Sequence, residues 1–306
     1  MPNIFICLAF YIFIYINKMH NMKHLNQYIT EYIIKKKLDK PIDSEDHYKY
    51  TPNTKEELIK NIKKLLDKEE TNFNCIDTSA ITDMSNLFRS LDISTTIDIS
   101  EWNVSNVTNM SNMFYCCQEF NCDLSSWNVS KVENMSYMFY YCKNFKCEGL
   151  DKWDVSNVTN MYGMFDCCKY INFDLNKWNV SNVENMSHMF YACRNLDYDL
   201  SNWNVSKVKD MKYMFYKCEN FTGKGLENWD VSNVEDMQDM FEDCENFNCD
   251  LSKWDVSNVL NMEYMFYNCK KLNCDLSNWN VSKVKDMSFM FDECTSIKKL
   301  PTWYKK

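Results

Sequence analysis

The sequence predicts an α/β repeat solenoid, a coil of 25- or 26-residue units that each hold a short strand and a short helix, closed at one end by a capping helix. Three observations predict it. Trp102, Trp127, Trp153, Trp178, Trp203, Trp229, Trp254, Trp279 and Trp303 are all the tryptophans in the chain, and the gaps between them are 25, 26, 25, 25, 26, 25, 25 and 24 residues. A period between about 20 and 50 residues marks solenoids, propellers or arrays. Each unit also carries two Met before a Phe, as in Met135/Met138 and Phe139, repeated from Met110/Met113 to Met287/Met290. Finally, Met135, Met138, Phe139 and Cys142 fall at i, i+3, i+4 and i+7, one face of a helix of one or two turns.

Within the unit, Asp123 to Trp127 alternates and reads as a short strand, and Val132 to Met135 reads as a second. Ser136, or Ser130 with Glu133, would cap the short helix. The two 26-residue gaps carry Gly149, and Gly223 with Gly225, where a glycine bulge at a turn absorbs the added residue. A lone unit buries too little apolar surface to offset the entropy of ordering it, so neighbours must supply the rest.

Along the chain, residues 1–17 are an apolar segment whose run Ile4 to Ile16 is shorter than a bilayer span of about 20 residues. It reads as a signal or anchor, as a start set too early with Met19 or Met22 the true one, or as a buried element. Residues 18–49 hold a helix from Met22 to Leu38, with Leu25, Tyr28, Ile29, Tyr32 and Ile33 on one face, and then a linker. Residues 50–75 hold the capping helix, opened by Thr54-Lys55-Glu56-Glu57 and carrying Leu58, Ile59, Ile62, Leu65 and Leu66. Residues 76–303 form nine coils, the last truncated at Leu300-Pro301-Thr302-Trp303, where Pro301 and the lysines around it blunt the edge. Residues 304–306 are a tail.

The phrase Trp-Asn/Asp-Val-Ser-x-Val-x-x-Met-x-x-Met-Phe-x-x-Cys resembles the 25-residue repeat of BspA-like leucine-rich-repeat surface proteins, found in mycoplasma-type surface lipoproteins and in large DNA viruses. The resemblance covers residues 50 to 303 and includes Tyr50 to Leu58 as the lead-in helix. It implies a right-handed leucine-rich-repeat-like coil, surface or adhesion roles, and no catalysis. Cys7, after Asn3-Ile4-Phe5-Ile6, lacks the small residues of a lipid-attachment box.

With 34 basic and 43 acidic side chains and a net charge of -9, the chain has no cationic footprint for nucleic acid. No catalytic constellation, cofactor site or metal site is evident, so the protein reads as no enzyme; His188 is the only histidine within the repeats. Cys117, Cys142, Cys168, Cys193, Cys218, Cys244, Cys269 and Cys294 share one core phase and read as buried thiols. Cys122 with Cys147, and Cys249 with Cys274, are close enough in stacked coils to be weighed as disulfides, against the parallel direction of their Cβ vectors. Asn103, Asn128, Asn179, Asn204 and Asn280 head Asn-x-Ser sequences; because Asp154, Asp230 and Asp255 replace them elsewhere, a turn-bonding oxygen explains them better than glycosylation.

The candidate partner-binding residues are Tyr137, Tyr140, Tyr191, Tyr213, Tyr216, Tyr264 and Tyr267, at phases flanking the buried Met-Phe. Asp166, Asp239, Glu242 and Asp292 stand at the same phases in other units, which predicts that these positions face water. The expected function is a non-enzymatic scaffold that binds a protein or surface ligand through exposed variable positions. The alternative is a structural coat or adhesion rod, held at a membrane by residues 1–17. If those residues act as a signal or anchor the protein is secreted or on a surface, and otherwise it is intracellular.

Overall fold

A computed structural model describes residues 48–89, 97–171 and 173–305, which fall in a compact unit from Tyr48 to Lys306. The apolar segment 1–17, the helix expected from Met22 to Leu38 and the linker as far as residue 47 lie outside the described residues. Among the described residues, no helix is long and apolar enough to cross a membrane.

Helix α1, Lys55–Leu66, forms as its sequence dictates. Thr54 Oγ1 accepts from the Glu57 amide at 3.2 Å, and Glu57 Oε2 reaches back to the Asn53 amide at 2.8 Å. These bonds satisfy donors that the first helical turn cannot. Leu58, Ile62 and Leu65 are buried. Lys55 Nζ meets Asp83 Oδ2 at 3.1 Å and Ser85 Oγ at 2.7 Å, fastening the helix to the first coil.

Beyond α1, the repeats stack in register. Single parallel bridges link Asp83, Asn109, Asn134, Asn160, Asn185, Asp210, Asp236, Asn261 and Asp286, one residue from each of nine coils. The expected strand and short helix are absent from the described coils. The stretch Asp123 to Trp127 is a turn, in which Asp123 Oδ1 accepts from the Ser125 amide and the Leu124 carbonyl from the Trp127 amide. In three other coils the same phase is a 3₁₀ turn, Leu150–Lys152, Leu175–Lys177 and Leu226–Asn228. Val132 to Met135 contributes one bridge residue, Asn134.

Met135 to Cys142 is a chain of overlapping turns for a definite reason. The amides of Met138, Tyr140 and Cys142 bond within the coil, to the carbonyls of Met135, Tyr137 and Phe139. The intervening amides of Met135, Tyr137, Phe139 and Tyr141 bond across to Asn160, Tyr162, Met164 and Asp166 of the next coil. An α-helix would spend every amide inside itself. Turning alternate amides outward requires left-handed backbone at Tyr137 and Tyr141, with φ of 54° and 57°. The four apolar side chains still converge on the core, all at 0% exposure.

Aromatic and sulfur ladders fill that core. Each indole N–H crosses to the preceding coil, as Trp178 Nε1 does to the Leu150 carbonyl at 2.9 Å, a carbonyl that also accepts from the Trp153 amide. Trp229 stacks on Trp254 at 6.5 Å, and Phe114 on Phe139 at 5.5 Å. The eight core-phase thiols donate to the Phe carbonyl one coil back, as Cys142 Sγ does to Phe114 at 3.0 Å. Burial raises the pKa of these thiols, to about 12 at Cys294. All fifteen described cysteines are free thiols, including Cys122, Cys147, Cys249 and Cys274.

The added residues fall where glycine permits them. Gly149 and Gly225, at φ of 86° and 92°, each begin a 3₁₀ turn before Trp153 and Trp229. A Cβ on Gly149 would stand 2.4 Å from the Ser125 backbone of the coil before. At the far end Trp303 completes the tryptophan stack on Trp279, and Tyr304 lies edge-on to Phe291 at 5.0 Å, sealing the Phe ladder.

Replacing Trp178 by Phe removes an indole hydrogen bond that joins two coils and leaves a cavity. A loss of about 2–3 kcal/mol is expected. Denaturant titration against the wild-type chain reads it, and an unchanged midpoint would contradict the indole-to-carbonyl link.

Candidate functional site

Because one phase recurs every coil, side chains just outside the Met-Phe core line up about 5–6 Å apart, the spacing at which aromatic rings touch. Tyr140 stacks on Tyr115 at 4.4 Å, and Tyr137 lies edge-on to Tyr140 at 5.4 Å and to Tyr162 at 4.6 Å. Tyr162 reaches His188 at 5.3 Å, His188 reaches Tyr213 at 4.7 Å, and Tyr191 stacks on Tyr216 at 4.5 Å. Five of the seven candidate tyrosines thus join one continuous stripe. Tyr264 and Tyr267, 5.6 Å apart, form a second group with Phe289, which stacks on Tyr264 at 4.9 Å and is 49% exposed.

Several members of the stripe escape a search for i, i+3 tyrosine pairs. Tyr115 lacks a partner at its own coil's other phase, Tyr162 sits one phase away, and His188 and Phe289 take the place of tyrosine. Arg89, at the phase of Tyr140, lies over the Tyr115 ring at 4.1 Å. Aligning every unit on its Met-Phe would have exposed all but Tyr162.

Two of the four acidic positions correct the expectation that these phases face water, while Glu242 and Asp292 are half-buried. Asp166 and Asp239 are 5% and 4% exposed. Their burial is set by the neighbouring coils, as where the Tyr137 ring leans against Gly163 in the coil of Asp166, an effect that no single unit reveals. Asp166 Oδ1 and Asp239 Oδ2 have no hydrogen-bond partner. Burial pushes Asp166 up to about 7, and burial with the hydrogen bond to Asp239 pushes Glu242 up to about 8. His188 is lowered to about 4 by burial, with Lys212 beside it, so it is neutral at pH 7. Burial raises Tyr140 to about 12, and Tyr137, Tyr191 and Tyr213 are also raised, so all four keep their hydroxyl protons.

A polar groove runs along a different phase, lined by Lys131, Glu133, Asn157, Glu184 and Lys207 among others. Three of its charges are engaged within the repeats: Lys131 Nζ donates to Asn106 Oδ1 at 2.8 Å, Lys207 Nζ donates to Asn182 Oδ1 at 2.7 Å, and Glu184 pairs with Lys209 at 2.8 Å. The Asn-x-Ser residues are likewise committed to turns. Asn128 Oδ1 accepts from the Ser130 amide at 3.1 Å, and Asp154 does the same for Ser156 at 3.1 Å. Among the described residues, no group of three or more His, Cys, Asp or Glu is placed to hold a metal ion.

Residues 56–149, 142–225 and 215–304 match, in tandem, the family described as Mycoplasma protein of unknown function, DUF285. The chain belongs to this family. The matched stretches begin within α1 and run through the described coils to Tyr304, so the DUF285 repeat carries both the aromatic stripe and the ladders beneath it. No curated protein matches the chain.

The raised Asp166 gives a signed pH test. The folded chain holds this proton up to about pH 7, whereas a free aspartate carboxyl releases it near 3.8. Between those values the unfolded chain binds fewer protons, so stability falls as pH rises and then levels off. Asp166→Asn removes this fall, at most about 1.4 kcal/mol per pH unit. Stabilities of the two proteins from pH 4 to 8 should therefore diverge in the variant's favour; parallel profiles would contradict the buried carboxyl.

Proposed function

We propose that this repeat protein is a non-enzymatic, leucine-rich-repeat-like solenoid scaffold that binds a protein or surface ligand along its tyrosine stripe, a reading in keeping with the surface or adhesion roles that its resemblance to BspA-like proteins implies. The observation that carries this reading is the backbone under the rings. Tyr137, Tyr213 and Tyr264 sit at φ of 54°, 56° and 51°, and the same phase holds Asn86, Asn112 and Gly163 in other coils. Asn and Gly adopt that conformation at little cost, whereas a bulky ring there is an outlier of the kind that gathers at functional sites. The rings are half-buried and pre-ordered by one another, so contact with a partner costs little side-chain entropy. Tyrosine is favoured at recognition surfaces for its large, rigid and amphipathic area.

Replacing Tyr137, Tyr213, Tyr216, Tyr264 and Tyr267 together by Ser is expected to weaken capture of a host partner at least about tenfold. The thermal transition should stay cooperative, because the Trp, Phe and Met ladders are untouched. Affinity capture from the host with both proteins, read by quantitative mass spectrometry, tests this. Enrichment of the same proteins by both would count against the stripe.

A further inference from the structure

Between the coils of Tyr115 and Phe289, two coils lack a ring at both flanking phases, and the two gaps differ. In one coil Gly163 and Asp166 replace the ring pair, and Tyr137 leans into the space: a Cβ on Gly163 would stand 2.5 Å from the Tyr137 ring. Asp166 is thereby sealed in. In the other coil Asp239 and Glu242 replace the pair, and no ring fills the gap. A cavity of about 670 Å³ remains, with Tyr213 and Tyr216 on one side and Tyr264 and Tyr267 on the other.

The floor of that cavity is acidic and, among the described residues, has no ion-paired cation. Asp239 is 4% exposed and lies beside Tyr213 and Glu242, and its Oδ2 has no hydrogen-bond partner. Among the described residues no lysine or arginine forms an ion pair with Asp239 or Glu242; the nearby Lys217 pairs instead with Asp243, at 3.9 Å. Burying a carboxylate pair without a cation is costly, and here the cost shows as a proton retained on Glu242 to about pH 8. A cation entering between the walls would take that proton's place.

The molecule itself indicates which cation suits such walls. Arg89, at the phase of Glu242, lays its guanidinium over the Tyr115 ring at 4.1 Å. A guanidinium is planar, weakly hydrated and always charged; it stacks on tyrosine and meets carboxylates with paired N–H groups. We propose that the cavity over Asp239 and Glu242 is a binding site for one arginine side chain of a partner, gripped between Tyr213/Tyr216 and Tyr264/Tyr267. This deepens the scaffold reading and rests on it for the source of the arginine, a protein partner docked on the stripe.

The full chain and a fluorescein-labelled peptide, Gly-Ser-Arg-Ser-Gly, test the site by anisotropy at physiological salt. The arginine peptide should bind at least about tenfold more tightly than its neutral citrulline counterpart, the loss typical of a buried charge left unpaired. It should also bind more tightly than the lysine version, which cannot stack. Glu242→Gln should reduce arginine binding to the citrulline level, while Glu184→Gln, in the polar groove, should leave it unchanged. Equal binding of the arginine and citrulline peptides to the wild-type protein would overturn the proposal without reliance on any variant. Equal losses in the two Gln variants, which would mean diffuse attraction to an acidic protein, would also overturn it, as would full displacement by millimolar calcium. The two readings fail separately. Peptide binding with no stripe-dependent host partner sinks the scaffold reading, and a stripe-dependent partner with no peptide selectivity sinks only the arginine site.

Discussion

The structure depends on how the backbone amides of each coil are divided. Between Met135 and Cys142 every second amide bonds within its own coil and every other one bonds to the next coil. A coil alone would leave half of those donors, its bridge residue and its indole N–H without the partners they have in the stack, at a cost that its own apolar contacts cannot offset. The ladders follow from the same constraint. Side chains of one phase meet their own kind in the coils before and after, so each must tolerate contact with itself: indole on indole and phenyl on phenyl, with each thiol donating to the Phe carbonyl one coil back.

That constraint also builds the surface. A residue outside the core is placed by its phase, and its neighbours are the same phase one coil away. A run of tyrosines therefore becomes a continuous ring surface without further design, and an acidic substitution becomes a notch whose depth the flanking coils determine. Asp166 takes the phase of Tyr140 and Asp239 that of Tyr137; the Tyr137 ring leans into the first gap, whereas the second stays open between Tyr213/Tyr216 and Tyr264/Tyr267.

Much of the architecture could be read from the residues. The tryptophan spacing revealed the repeat, and Thr54 with Glu57 revealed α1, because both signals are local and act through known chemistry. The buried set was also legible: Met135, Met138, Phe139 and Cys142 all face the core. Their backbone was not, since a chain of overlapping turns places side chains inward at the same i, i+3, i+4, i+7 spacing as a helix. Nothing in Tyr137 or Tyr141 signals left-handed backbone, which is imposed by the coil above. The site was half legible for the same reason. Tyrosine pairs within a unit stood out, whereas the burial of Asp166 and Asp239 and the joining of Tyr162 to His188 arise only between units.

The most direct test is stability as a function of coil number. Chains built from α1 with one, three, five, seven or nine coils, each ended by the Leu300 to Lys306 segment, would be unfolded in denaturant and compared. If pairing between coils carries the fold, the one-coil chain has no cooperative transition, and unfolding free energy then rises by a roughly constant increment per added coil. A one-coil chain that folds, or a stability that does not change from three coils to nine, would contradict the account.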